Sequence, residues 1–184
     1  MERNTQVEQL HEKRLKKYED SLRELQDNMK CNNIQILRIP EGDEKEQGIE
    51  TLFEKIVTEK FPNLEREEAL QVQEAQRVLI KMNPKRTTPR HIIIKMLNFR
   101  DKERILKTTR EKQEVTYKEA RIRLAADFST DTLQARKEWQ KIFQVMKSKC
   151  LQPRLLYPAR LSIKMEGEIR SFPDKRKLKQ KTSK

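Results

Sequence analysis

Residues 91–97, His91-Ile92-Ile93-Ile94-Lys95-Met96-Leu97, are a β-rich run in a chain of 184 residues of which 39% are charged. Upstream lies a second short apolar strand, Ile34–Ile39, stopped by the turn signal Pro40-Glu41-Gly42-Asp43. Between them, Ile49, Leu52, Phe53, Ile56 and Val57 recur at i, i+3, i+4, i+7 and i+8, which predicts an amphipathic helix. Leu70–Ile80 holds another strand, with Val72 and Val78 as members. Lys81–Arg90 is a basic loop carrying Pro84 and Pro89. Downstream, Asp101–Lys112 reads as a second helix burying Ile105 and Leu106, and Arg121–Ala126 as the last strand.

Residues 31–127 are therefore expected to run strand, helix, strand, strand, helix, strand. That order is the ferredoxin-like split βαβ arrangement, which includes the RNA recognition motif (RRM). The fold class expected is α+β: an N-terminal coiled-coil helix, an RRM-like βαββαβ domain, and a small basic α/β C-terminal domain.

Residues 1–30 contain no Gly or Pro and are dense in Glu, Lys, Arg, Gln and Leu. Leu15, Tyr18, Leu22, Leu25 and Met29 alternate in steps of three and four, an a/d seam of period 3.5. Upstream the register breaks, because Val7 and Leu10 sit one residue out of phase. A single amphipathic helix docked on its own domain is the competing reading. Arg14 and Glu19 flank the Leu15/Tyr18 pair at g and e, where an Arg fork reaches a neighbouring chain's carboxylate. This spacing resembles one found in parallel trimeric coiled coils. Arg14, Leu15, Tyr18, Glu19, Leu22, Leu25 and Met29 are the expected trimer contacts.

After residue 127, Phe128-Ser129-Thr130-Asp131 is a helix N-cap signal. The helix that follows sets Ala135, Trp139, Ile142, Phe143, Met146 and Cys150 along one stripe. Pro153 and Pro158 bracket an extended stretch, and Leu161–Met165 with Glu168–Phe172 predict a hairpin around Glu166-Gly167. The end, DKRKLKQKTSK, has almost no apolar content and reads as a disordered basic tail. The expected boundaries are 1–30 coiled-coil end, 31–127 RRM-like domain, 128–174 C-terminal nucleic-acid-binding domain, and 175–184 tail.

Composition narrows the function classes. Leu, Ile, Val and Phe make up 44 of 184 residues, about 24%, enough to build a core. No apolar run approaches the ~20 residues of a membrane span, and the N-terminus lacks a signal peptide's apolar stretch. Cys31 and Cys150 are isolated, and with His11 and His91 they do not make a zinc site; reduced cytosolic thiols are expected. No phosphate-cradling glycine loop or metalloprotease motif is present, and the abundant carboxylates fall on solvated helix faces, so no enzyme, metal or cofactor is expected. The net charge of +13 is uneven. Residues 1–80 hold 13 basic and 18 acidic residues, whereas residues 81–184 hold 29 and 11. A polyanion partner follows, either nucleic acid or an anionic surface. A membrane role lacks an amphipathic apolar face beside the tail.

The candidate polyanion contacts are Lys81, Lys85, Arg86 and Arg90 in the loop before the third strand; Arg110 and Lys112 at the end of the second helix; Arg136 and Lys137 on the next; and Arg154, Tyr157 and Arg160 around Pro158. For each, an ordinary solvated or structural role is the competing reading, and for Arg110 and Lys112 it is a cation complementing the helix dipole. The third strand carries no aromatic, whereas the usual recognition motif stacks bases on strand aromatics. Binding must then lean on phosphate neutralisation, with weak sequence preference and strong salt dependence.

Several ordered blocks carry a family resemblance: Asn33-Ile34, Pro40-Glu41-Gly42, Phe61-Pro62-Asn63-Leu64, Thr88-Pro89-Arg90-His91-Ile92-Ile93, Arg110-Glu111-Lys112, Leu133-Gln134-Ala135-Arg136 and Tyr157-Pro158-Ala159-Arg160-Leu161-Ser162. From about His11 to Asp174 the chain resembles the first-open-reading-frame protein of mammalian LINE retrotransposons (the transposase 22 family). The resemblance implies a homotrimer on a parallel coiled coil, an atypical recognition motif and a basic C-terminal domain. It further implies single-stranded RNA and DNA binding, nucleic-acid chaperone activity, and packaging of the element's transcript in cytoplasmic ribonucleoprotein particles, with the nucleus as a second location. Carried over by position, the RNA contacts are Asn33, Lys85, Arg86, Lys95, Arg110, Arg136, Lys137 and Tyr157. Lys85 and Lys95 replace arginines, keeping charge but losing the bidentate fork. Gln35 and Cys31 stand where the family has contacting residues. The coiled coil is shorter than the family's, and an apolar helix is expected where DKRKLKQKTSK stands, so the chain looks like a truncated copy. The alternative function is an oligomerisation or partner-binding module that has lost RNA binding through truncation.

Overall fold

The computed structural model describes residues 2–67, 70–78, 88–112, 114–165 and 167–182. A long helix α1 (Glu2–Met29) leads into β1 (Asn33–Leu37), α2 (Ile49–Lys60), α3 (Pro62–Glu67), β2 (Val72–Arg77), β3 (Ile92–Met96), α4 (Phe99–Lys112), β4 (Val115–Tyr117) and β5 (Ala120–Ala126). Then come α5 (Thr130–Glu138), α6 (Gln140–Ser148), β6 (Arg154–Leu156), β7 (Arg160–Met165), β8 (Glu168–Phe172) and α7 (Lys175–Thr182). Two units result: Asn28–Asp127, and a second formed by residues 2–27 with 128–182. The protein is thus mixed helix and sheet, with antiparallel sheets behind an N-terminal helix.

In the 28–127 unit the five strands lie in the order β2-β3-β1-β5-β4, every pair antiparallel. Alternation decides which face is buried. Ile34 and Ile36 of β1 lie opposite Ile94 and Ile92 of β3, and Leu124 of β5 sits beside Ile36. These side chains join Leu52, Phe53, Ile56 and Val57 of α2 and Ile105 and Leu106 of α4 in one core. The intervening positions, Asn33, Gln35, Ile93, Lys95 and Arg123, occupy the other face.

The six expected elements of this unit are present as β1, α2, β2, β3, α4 and β5, and two more appear. Pro62 opens α3 at the first helical position, where its missing N–H costs nothing. β4 pairs with β5 through a two-residue turn, Lys118-Glu119, in which both residues have positive φ (46° and 65°). Such turns usually announce themselves with Asn or Gly, so a Lys-Glu pair gives no warning. Val78 falls just outside β2 and only donates its N–H to the His91 carbonyl, at 2.9 Å. Residues 81–87 of the expected basic loop lie outside the described residues.

In the second unit, Ser129 caps α5 as expected, its hydroxyl accepting from the Thr132 N–H at 3.3 Å. The single helix expected after residue 130 is instead two, α5 and α6, broken at Trp139. Trp139 is only 3% exposed, and its Nε1 donates to the Ala159 carbonyl at 2.9 Å. Ala135, Ile142, Phe143 and Met146 pack on the same cluster, with Leu161, Ile163 and Phe172 from the expected hairpin. Cys150 does not join the stripe: it lies beyond α6, exposed, with φ at 58°.

Of the disordered tail expected over 175–184, residues Lys175–Thr182 instead form α7, and 183–184 lie outside the described residues. Asp174 accepts from the Lys177 N–H at 2.9 Å, a side-chain cap. Leu178, 6% exposed, enters the Trp139 cluster.

Candidate nucleic-acid interface

On the uncovered sheet face of the 28–127 unit, Asn33 and Lys95 are cross-strand partners. Asn33 is not free: its Nδ2 donates to Asp127 at 3.1 Å. Gln35 Nε2 and Lys30 Nζ donate to the same buried carboxylate at 2.6 and 3.3 Å. Asp127 thereby fixes the amide orientation of Asn33 and Gln35. The Asn33 Oδ1 is shielded from solvent and has no hydrogen-bond partner among the described residues. Half-buried Lys95 has no ion-pair partner among the described residues, and Ile93 supplies the apolar part of this face. No aromatic stands on β1 or β3. Next to it, Lys102 Nζ donates to the Cys31 carbonyl at 2.6 Å, and burial pushes its ammonium below the usual lysine range.

The loop cations divide. Arg90 is held by Glu41, with Nη2 to Oε2 at 2.9 Å. Hydrogen bonds from the Arg90 side chain lower the Glu41 carboxyl to about 2 against partial burial, with the Arg90 N–H and the Arg77 charge helping. Lys85 and Arg86 lie outside the described residues. In the last turn of α4, Lys112 Nζ donates to the Lys60 carbonyl at the end of α2 and sits 5.5 Å above the Phe61 ring. Arg110, two residues before Lys112 on the same helix, is exposed and without a partner among the described residues.

In the second unit, three residues form a stack: the Arg136 guanidinium lies 4.7 Å from the Phe128 ring centre, and Phe128 stacks on Tyr157 at 6.3 Å. Arg136 also donates to the carbonyls of Leu155, Leu156 and Pro158 at 3.0–3.3 Å, holding the turn that presents Tyr157. The Tyr157 hydroxyl donates to Asp27 at 3.1 Å while half its surface stays exposed. Asp27, 5% exposed, further accepts from the Ser129 N–H and the Thr132 hydroxyl, both at 2.6 Å. Burial pushes its carboxyl up, but these hydrogen bonds together outweigh it and leave the group below its ordinary range. The Tyr157 phenol is pushed up by burial and by its bond to Asp27. Around the stack Lys137, Arg154 and Arg160 are exposed, with no partner among the described residues.

The seam of α1 is uncovered: Leu15, Tyr18, Leu22, Leu25 and Met29 are 56–74% exposed, with Arg14 and Glu19 exposed beside them. Asp27 and Arg23 fall at the f and b positions of that register, on the opposite side.

Asp27, Phe128 and Asp127 all hold expected contacts in place, and none was legible as a site residue. An acid inside a charged helix and an aromatic before an N-cap look ordinary until the chain brings distant partners to them. The one signal available was Asp127-Phe128 flanking the N-cap Ser129.

A family model described as the L1 transposable element RBD-like domain matches residues 31–127, and one described as the L1 transposable element dsRBD-like domain matches 130–183. Among curated proteins, the LINE-1 retrotransposable element ORF1 protein of Mus musculus is 43% identical over 157 residues, covering 85% of this chain and 44% of that protein. The LINE-1 type transposase domain-containing protein 1 of Homo sapiens is 41% identical over 140 residues, covering 76% of this chain and 16% of that protein. Its counterpart in Mus musculus is 38% identical over 155 residues, 84% and 20% respectively. The chain spans less than half the length of the curated relatives it matches.

Proposed function

The chain belongs to the L1 transposable element ORF1-like family, and from that premise we propose that it is a sequence-tolerant single-stranded RNA-binding protein and nucleic-acid chaperone of LINE origin. It assembles with element RNA into a ribonucleoprotein, in the cytoplasm and secondarily in the nucleus, and no catalytic step is part of this role. The observation that carries the reading is a set of cations without partners among the described residues: Lys95, Arg110, Lys137, Arg154 and Arg160. A sheet ordered β2-β3-β1-β5 with both long helices on one face supports an RRM-like domain whose open face lacks stacking aromatics. Affinity then comes from phosphate neutralisation, with Tyr157 as a stacking group. The uncovered α1 seam supports a parallel homotrimer, because its opposite side is the one engaged by the chain's own C-terminal residues.

Titration of labelled single-stranded RNA across salt concentrations tests this. Neutralising ~5 phosphates gives a log–log slope of about −3.5. Binding indifferent to salt, or none at about 50 mM, overturns the reading.

A second reading, an oligomerisation module without RNA function, is favoured by the internal engagement of Asn33, Arg90, Lys112 and Arg136. A chain that trimerises by light scattering yet retains no RNA would select it.

A further inference from the structure

Within the second unit, α1, α5, the turn before β7 and the start of α7 enclose a cleft of about 500 Å³. That volume is in the range of sites for small ligands. Ala135, Trp139, Pro158 and Pro173 supply apolar lining. Arg23, Arg160, Lys175 and Arg176 line it as well. The two carboxylates of the lining have their own partners: Glu138 lies 3.7 Å from Lys175, and Asp174 caps α7. Arg160 and Arg176 remain without a carboxylate partner among the described residues, and Arg23 shares its charge with Asp20.

Arg23 is the informative one. Its Nη2 reaches Asp20 at 3.0 Å, but its Nε is shielded from solvent with no hydrogen-bond partner among the described residues. A shielded, unsatisfied donor carries a desolvation cost that an anionic acceptor relieves. A cleft lined by apolar side chains and by guanidinium groups suits a ligand with a hydrophobic face and a negative charge. Nucleotides have that form, with a base to pack on the apolar lining and a phosphate to meet the arginines.

We propose that this cleft is a nucleotide subsite, taking one nucleotide of a bound single strand, with Arg23, Arg160 and Arg176 on its phosphate. The proposal rests on the nucleic-acid-binding reading above and adds to it a role for α1. Arg23 lies off the a/d seam, so the helix contributes to binding by a route separate from oligomerisation.

Trp139, the only tryptophan in the chain, lines the cleft and reports on it directly. With the full chain and a ten-residue oligouridylate as probe, binding should quench tryptophan emission. Arg23→Gln combined with Arg176→Gln should weaken affinity about ten-fold, flatten the log–log salt slope by about 1.4 and remove the quenching. Light scattering should show the same oligomer. Arg176→Gln alone, at an exposed position on α7, gives the same trend at half the size and guards against a misfolded double variant. Photocrosslinking of a 4-thiouridine oligonucleotide to the wild-type chain should map to residues 157–160 or 173–176. A wild-type chain that binds RNA without quenching or crosslinks there, or variants with wild-type affinity and slope, overturns the subsite and leaves the broader reading standing. A wild-type chain that binds no oligonucleotide overturns both.

Discussion

Arg77 uses all five of its donors: Nε and Nη2 to the Glu44 carboxylate, Nη2 also to the Pro40 carbonyl, and Nη1 to the carbonyls of Ile39 and Arg90. It ties the end of β1 to the residues before β3 from a buried position. Arg77→Met should therefore cost about 3 kcal/mol in urea unfolding, because a carboxylate and three carbonyls lose their partner together. Arg77→Lys should recover only part, since an ammonium lacks the fork. The neighbouring Glu41 sets an acid limb. Its folded pKa, about 2, lies below the ordinary 4.5, so the stability it contributes is present above 4.5 and lost as pH falls towards 2. Glu41→Gln should remove that part of the pH dependence of the melting temperature. Asp27 acts with the same sign, and Asp27→Asn should lower stability by about 1 kcal/mol at neutral pH, with the deficit shrinking in acid. At this scale the sequence was least legible. Arg77 reads as one more basic residue near a turn, and its role depends on carbonyls 13 to 38 positions away.

Among the elements, α1 and α7 make the sharpest contrast. The a/d spacing of α1 is visible in its residues, and the uncovered stripe leaves that seam available to another chain. In the proposed trimer, Leu22→Asp should abolish self-association in light scattering while leaving the folds of both units intact. α7 is the reverse case, because no apolar period predicts it. Its order comes from Leu178 in the Trp139 cluster and the Asp174 cap, so Leu178→Ala should speed amide exchange across Lys175–Thr182 before it affects β7 or β8. The central strands β1 and β3 were legible because period-two alternation and a buried face coincide there. β4 was not, being three residues long and joined by a turn without glycine.

Across the whole chain, charge is the property that connects sequence to function. The basic excess lies after residue 80, and part of it is already committed to internal structure in Arg90, Lys112 and Arg136. In the proposed RNA binding, the uncommitted cations set the salt dependence. Lys137→Ala, Arg154→Ala and Arg160→Ala together should shallow the slope for single-stranded RNA by about 2, and weaken binding equally across sequences. A slope unchanged by the triple variant would place the phosphate contacts elsewhere.

By itself, the sequence determined six elements of residues 31–127 in their order, though not α3 or β4, together with the hairpin after Pro158 and the a/d spacing of α1, and its summed charge pointed to a polyanion partner. Each of these rests on local periodicity or summed charge, which adjacent residues carry in full. Only the tertiary structure decided which cations are free and which are clamps, that Asp27 joins Ser129, Thr132 and Tyr157, and that the final lysine-rich segment folds. Those outcomes depend on hydrogen bonds and burial between residues as many as 130 positions apart, and such pairings leave no period to read.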